Sequence, residues 1–392
     1  MVYKVIGLMS GSSLDGLDLA YVELQERAST NRQAPRTWGY ELVKTACYPY
    51  PEEWRRRLAG ATGLSAMEYQ LLHVEYGRYL GERVLQFIEE NGLHYRVQLI
   101  VSHGHTTFHD PARRMTAQLG DGAAIAAVTR INVVSDLRAM DVALGGQGAP
   151  IVPIGEMLLL PEFELFLNLG GIANVSRHGA GASGGEFLAF DVCPANRVLN
   201  TLAATAGMEY DKDGMLAAGG GVDLGLLDQL NALPYYAAPW PKSLANEFGT
   251  ETVLPLVRQA MSTGLSTADA LRTYVEHIAE QVERAVEQLC SSGCDAPLGR
   301  QEPGAAGANV AGPQAKLLVT GGGAHNAFLV DRLRARLGVE VVVPEAALVD
   351  YKEALIMALI GVLRWREENN VLASVTGATR DSIGGAVWIG QE

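Results

Sequence analysis

Three apolar runs in this chain end in glycine-rich turns, and that recurrence limits the possible fold more than any other feature. "IGLMSGSSLDGLDLAYVEL" (Ile6–Leu24) sets two strand-like runs on either side of a turn at 9–16 that holds Asp15. "LFLNLGGIANVS" repeats the form with a turn at 170–174. "KLLVTGGGAHN" does so at 321–323, where a helical pattern from Asn326 to Leu337 follows. A plain hairpin needs two turn residues, so the first turn is over-long. Its backbone N–H groups from Ser10 to Leu14 could close around phosphate oxygens, with Asp15 in reach of a phosphate-bound metal ion. A surface hairpin of ordinary turn residues is the plainer reading of the same stretch. The turns share no fixed period, so they do not mark a tandem repeat; they suggest two related sheet domains.

The intervening sequence alternates strand and helix patterns. Residues 65–91 read as one long helix ended by Gly92, and Val97–Ser102 as a buried strand running into "SHGHTTFHD". Asn132–Ser135 reads as another strand, followed by a loop with Asp136, Arg138 and Asp141. Around Leu158–Glu164 the polarity shifts and a second set of strands begins. "STADALRTYVEHIAEQVERAVEQLC" is an amphipathic helix with Leu271, Val275, Ile278, Val282, Val286 and Leu289 three or four apart, and Ser266 with Asp269 resembles a capping box. Residues 291–316 are a Gly/Ala/Pro tract without periodicity, expected to be a mobile surface insertion. "EALIMALIGVLRWREEN" is a helix with a charged tail. Strand, helix, strand with polar residues at the strand ends is the pattern of an α/β sheet whose ligands lie outside those ends.

Composition narrows the class. A net charge of −13 without a Lys/Arg cluster argues against nucleic acid or an anionic membrane as main partner. Nothing resembles a signal peptide, and the apolar runs are too broken by charge to span a bilayer. Cys47, Cys193, Cys290 and Cys294 are too few and scattered for a disulfide framework. The expectation is a cytoplasmic protein of enzyme size, and 392 residues accommodate two domains.

Several motifs have plain readings. No Gly-Lys pair exists, which closes the Walker route to NTP binding. "GAGASG" at Gly179–Gly184 matches a dinucleotide fingerprint literally, but it joins two strands with no helix following. His103, His105 and His109 invite a metal; a polar strand-end loop that hydrogen-bonds a substrate suits them better than zinc. Asp191 in "FDVCPANR" is either a general base or an Asp opening a turn before Pro194. Cys193 reads as a small packed residue, and Glu353 as a helix-start dipole partner.

Taken in order, "GLMSGSSLDGLD", "SHGHT", "QLGDGAAIA", "VVSDLR", "DVALGGQGAPIVP", "NLGGIANVS", "AFDVCPANR", "PKS" at 241–243 and "TGGGAHN" resemble the anhydro-N-acetylmuramic acid kinases. These belong to the superfamily of sugar kinases, actin and heat-shock chaperone ATPases. The resemblance spans nearly the whole chain apart from 291–316. It implies an α/β, two-domain actin-like ATPase (ribonuclease H-like) fold with an interdomain cleft. The expected domains are 1–155 plus 356–392, and 156–355. It further implies ATP and Mg²⁺, a homodimer, hydrolysis of the 1,6-anhydro bond of the sugar, and phosphorylation of its O6. By that likeness Asp191 is the general base. Ser10, Gly11, Ser12, Ser13, Asp15, Gly16, Asn168, Gly170, Gly171, Gly321, Gly322, Gly323 and Asn326 bind nucleotide and phosphate, with Mg²⁺ on Asp15 through water. His103, Thr106, Arg138, Asn196 and Glu353 bind the sugar, and Arg138 suits the lactyl carboxylate. Asp18 falls within the motifs without an assigned role.

The chain departs from the family pattern at Ser12, where Thr is usual, and at His105, where Gln is usual. It also has Val192-Cys193-Pro194-Ala195-Asn196 in place of Thr-Gly-Pro-Gly-Asn, and "PWPKSLANEF" lacks the usual Gly-Arg-Glu. A kinase of another anhydrosugar such as levoglucosan, an actin- or chaperone-like ATPase, and a non-catalytic sugar sensor are the competing readings.

Overall fold

The computed structural model describes residues 1–390 except 12–13, 28–36, 180–184, 240–241, 246 and 292–314. Ser12, Ser13, Cys294, most of "GAGASG" and the body of the 291–316 tract therefore lie outside the described residues. The chain divides into two compact units, Met1–Pro161 with Tyr351–Glu392, and Glu162–Asp350.

The first unit contains β1 (Val2–Ser10), β2 (Gly16–Glu26), β3 (Trp38–Pro49), β4 (Leu99–Ser102), β5 (His105–Asp110), β6 (Met115–Leu119), β7 (Asn132–Ser135) and, from the C-terminal segment, β13 (Ala386–Trp388). Six of these form one sheet in the order β13-β7-β4-β1-β2-β3, and β5 pairs with β6 apart from it. β1, β2 and β3 are an antiparallel meander, whereas β4 and β7 join parallel to β1. The apolar runs of β1 and β2 explain their central place: Val5, Ile6, Leu8, Leu17, Leu19 and Val22 are all buried. The helix Ala66–Asn91 starts on a Ser65–Glu68 capping box, ends at Gly92, and turns Leu72, Tyr76, Leu80, Val84 and Phe87 inward at helical spacing. The helix Ala346–Trp365 lies directly on β4, where a Cβ at Gly361 would fall 2.0 Å from Val101 Cγ2.

The second unit contains β8 (Leu165–Leu169), β9 (Ile172–Gly179), β10 (Gly185–Pro194), β11 (Lys316–Thr320) and β12 (Glu340–Val342), in the order β10-β9-β8-β11-β12. Here too the first three strands are an antiparallel meander, and the last two join parallel to the first. Each unit therefore carries the 3-2-1-4-5 strand order of a ribonuclease H-like α/β domain. The helix Thr267–Ser291 fills the core of this unit, with all six residues of its apolar stripe buried.

Two local expectations are corrected. Glu353 does not open a helix; it is the eighth residue of Ala346–Trp365, which starts earlier because Val349 N–H already donates to the Glu345 carbonyl. The helix after "TGGG" is preceded by a short 3₁₀ turn, Gly322–His325, and runs Ala327–Arg336. Asn326 is its cap, accepting from Leu329 N–H at 2.9 Å, so that donor is already satisfied within the chain.

Candidate active site

In an α/β sheet ligands collect outside the carboxyl ends of strands, where the strand order reverses. In the second unit those ends are Leu169 on β8 and Thr320 on β11, parallel neighbours with Thr320 opposite Asn168. The turns 170–171 and 321–323 therefore emerge side by side. Their closeness demands glycine at Gly321: its φ is +81°, and a Cβ there would sit 2.4 Å from Asn168 Oδ1. Asn196 ties the two turns together. Its backbone N–H donates to the Gly170 carbonyl at 3.1 Å and its amide to the Leu169 carbonyl at 2.9 Å, while Gly322 and Gly323 pack against the same amide. Asn168, Gly170, Gly171, Gly321, Gly322, Gly323 and Asn196 thus form one cluster at one end of the sheet.

Asp191 lies near the end of β10, where the pairing with β9 slips between Asp191 and Cys193. That irregularity leaves its main chain to the following segment. Asp191 N–H donates to the Lys242 carbonyl at 3.2 Å, and its carbonyl accepts from Tyr235 Oη at 2.6 Å. Oδ2 accepts from Leu244 N–H at 2.8 Å, and among the described residues Oδ1 has no partner. Burial raises this carboxyl above its ordinary value, against the Leu244 N–H, which favours the ionised form. Lys242 Nζ stands 4.8 Å from the Tyr235 ring centroid. Cys193 is fully buried and its thiol is pushed well up by burial, as suits a packed residue. Sequence reasoning passed over Tyr235 and Leu244: they lie 44 and 53 residues from Asp191, and only "PKS" hinted at the segment.

In the first unit the matching strand ends are those of β1, β4 and β7. After β4, Gly104 takes φ +71°, so His103 and His105 do not alternate along one strand as a shared metal face would need. His103 Nδ1 lies 2.8 Å from the Gly104 carbonyl, which only accepts, so Nδ1 carries the proton. Nε2 then accepts from Arg138 Nε at 2.8 Å. Burial, then the Arg138 charge, lowers His103 to about 3, so the ring stays neutral. Both ring nitrogens are engaged within the chain, and their effect is to aim Arg138. Arg138 Nη1 donates to the Gly148 carbonyl, and Asp141 fixes that loop by accepting from Gly148 N–H at 2.7 Å and Thr376 Oγ1 at 2.6 Å. Burial lowers Arg138 to about 10, opposed by the Glu353 and Asp141 charges, so it remains cationic. Glu353 is pushed up by burial, against the attraction of Lys352 and Arg138. Thr106 is exposed on β5, its hydroxyl accepting from Gln118 Nε2 at 3.4 Å.

At the first glycine turn, the Ser10 hydroxyl is buried and accepts from Tyr50 Oη at 2.9 Å and Tyr76 Oη at 3.1 Å. Gly11 follows it, Gly16 is packed against Cys47 and Tyr48, and Asp15 is exposed in a pocket shared with Glu52, Arg55 and Arg56. No group of three or more His, Cys, Asp or Glu that could cage a metal occurs among the described residues. A nucleotide-bound Mg²⁺ does not need a cage, because one carboxylate plus phosphates and water suffice, and an exposed Asp15 fits that demand. Asp18 pairs with Met9 and Cys47 within the sheet.

A family profile described as "Anhydro-N-acetylmuramic acid kinase" matches residues 3–296 and 305–390. A protein of that name from Gloeobacter violaceus is 35% identical over 96% of this chain and 96% of its own length. One from Vibrio cholerae is 34% identical over 98% of this chain and 97% of its own. A solved activator of the 2-hydroxyisocaproyl-CoA dehydratase from Clostridium difficile aligns over 94% of this chain and 96% of its own with a TM-score of 0.43 and 14% identity, too distant to bear on the reading. The match runs through both units and both clusters of strand-end residues, and the chain belongs to the anhydro-N-acetylmuramic acid kinase family.

Proposed function

We propose that the protein is an ATP-dependent kinase that opens the 1,6-anhydro bond of anhydro-N-acetylmuramic acid and phosphorylates O6, giving N-acetylmuramic acid 6-phosphate for cell-wall recycling. The observation that carries this reading is the family match along the chain, which includes Asp191 as a largely buried carboxylate with one oxygen unpaired among the described residues. Asp191 takes a proton from water as the water oxygen bonds to the anomeric carbon. The bond from that carbon to O6 breaks, its electron pair stays on O6, and O6 displaces ADP from the γ-phosphorus. Phosphoryl transfer asks mostly for positioning and charge stabilisation. Asn168, Gly170, Gly171 and Gly321–Gly323 supply a phosphate-lining surface in the second unit, with Asn326 capping the helix beyond. Gly11, Ser12, Ser13, Asp15 and Gly16 serve that role in the first unit, where Ser10 buttresses the turn. Asp15 would hold Mg²⁺ through water, and the ion would supply neutralisation of phosphate charge when bound.

In the first unit Arg138 takes the lactyl carboxylate, since its Nη2 has no partner among the described residues and a guanidinium suits a carboxylate. His103 acts through Arg138, and Glu353 and Thr106 contact sugar hydroxyls; Asn196, which ties the glycine turns of the second unit together, is assigned to the sugar as well. No helix among the described residues is long and apolar enough to cross a membrane. The reading carries a cytoplasmic enzyme and a homodimer.

ADP release measured with anhydro-N-acetylmuramic acid, N-acetylmuramic acid, levoglucosan and glucose tests the reaction. Turnover is expected with the first sugar and weak or absent with the others. Preference for a free, non-anhydro sugar would overturn the hydrolytic step.

A further inference from the structure

Arg197, the second residue of the helix Asn196–Ala204, has no part in the reaction described so far. Its side chain lies along the glycine turn. A Cβ built on Gly171 would meet Arg197 Nε at 3.9 Å and Nη2 at 4.0 Å. Those two nitrogens form one edge of the guanidinium, the edge whose parallel N–H bonds grip a carboxylate or phosphate in two places. Among the described residues Nε is buried without a hydrogen-bond partner, and Arg197 makes no ion pair. A buried guanidinium N–H left unpaired is costly, so such a group implies a partner that arrives from outside. The two carbonyls of the turn already accept within the chain, Gly171 O from Ala195 N–H at 2.8 Å and Gly170 O from Asn196 N–H at 3.1 Å, and neither bonds Arg197 Nε.

The anion is therefore one that comes to rest against Gly170–Gly171, at the strand ends where the nucleotide phosphates are placed. We infer that Arg197 grips a phosphate group of the bound nucleotide through its Nε–Nη2 edge. This rests on the nucleotide assignment of the proposed function. It would also give the nucleotide phosphates a side-chain cation beside Mg²⁺ in a chain that has no Gly-Lys phosphate lysine.

The test is calorimetric affinity for ATP, ADP and adenosine, with Mg²⁺ present, for the full chain and its Arg197→Gln and Arg197→Lys variants. Arg197→Gln is expected to weaken ATP roughly 10- to 100-fold and to leave adenosine within about twofold. Arg197→Lys recovers part of the loss, because an ammonium keeps the charge without the fork. Unchanged ATP affinity in Arg197→Gln overturns the inference and leaves the kinase reading standing. Equal loss for ATP and adenosine overturns it as well, marking Arg197 as structural support. Should Arg197→Gln not fold, the ATP-to-adenosine affinity ratio of Arg197→Lys decides, an unchanged ratio counting against the inference. Absence of nucleotide binding by the unaltered protein overturns the kinase reading and the inference together.

Discussion

At the scale of single residues, the carboxyl of Asp191 is tuned by two opposing influences. Burial raises its proton affinity, which suits the proposed role of taking a proton from water, while the Leu244 N–H favours the ionised form. Asp191→Asn preserves the acceptor for Leu244 and removes the base. Sugar phosphorylation is expected to fall by about 10²-fold or more with ATP affinity retained, measured by ADP release and calorimetry. The raised value also has a sign for stability. A carboxyl whose folded pKa lies above its unfolded value costs stability above the folded pKa, and that cost disappears as pH falls through the window to the unfolded value. Thermal unfolding should therefore show Asp191→Asn gaining over the unaltered protein near neutral pH, with the gain shrinking toward acid. Asp191 was legible in the sequence as an Asp ending an apolar run, but the burial that suits it to the proposed role of base was not. That burial comes from elements 44 to 53 residues away, which no local pattern announces. His103 shows the reverse: the motif marks it as a sugar ligand, and its geometry makes it the acceptor that orients Arg138.

At the scale of elements, β10 and the segment Tyr235–Leu244 act as a clamp. Three hydrogen bonds reach Asp191 from Tyr235, Lys242 and Leu244, at the point where β10 slips its register. Tyr235→Phe removes one donor from the Asp191 carbonyl. About 0.5–1.5 kcal/mol of stability should be lost by denaturant unfolding. If the clamp positions Asp191, kcat falls while KM for ATP holds; an unchanged kcat would reduce Tyr235 to a packing role. The regular elements themselves were readable. Ser65 and Gly92 bound the helix Ala66–Asn91, and the stripe of Thr267–Ser291 is buried at every expected position, because capping and periodicity act within a few residues. The start of Ala346–Trp365 differs from the expectation because Asp350 and Glu353 have the spacing of a helix start, yet the helix runs through both from Ala346.

For the whole molecule, the first unit is assembled from two segments separated by the whole of the second unit, Met1–Pro161 and Tyr351–Glu392. Lys352 and Glu156 join them: Nζ lies 2.7 Å from Oε1, and both side chains are 4% exposed. Lys352→Met leaves a buried carboxylate without that cation and should cost about 3–5 kcal/mol of unfolding free energy, whereas Lys352→Met with Glu156→Leu should be near neutral. An equal loss in both variants would show that the pair's packing, rather than its charge, holds the segments. By itself the sequence determined the strand and helix periodicities, the three glycine turns, and a motif order specific enough to indicate the family, all signals written over short spans. Only the tertiary structure decided that two of those turns meet through Asn196, that Asp191 is clamped from 44 to 53 residues away, and that Arg197 faces Gly171. Side chains meet across strand order and chain return, and neither leaves a periodic trace in the sequence.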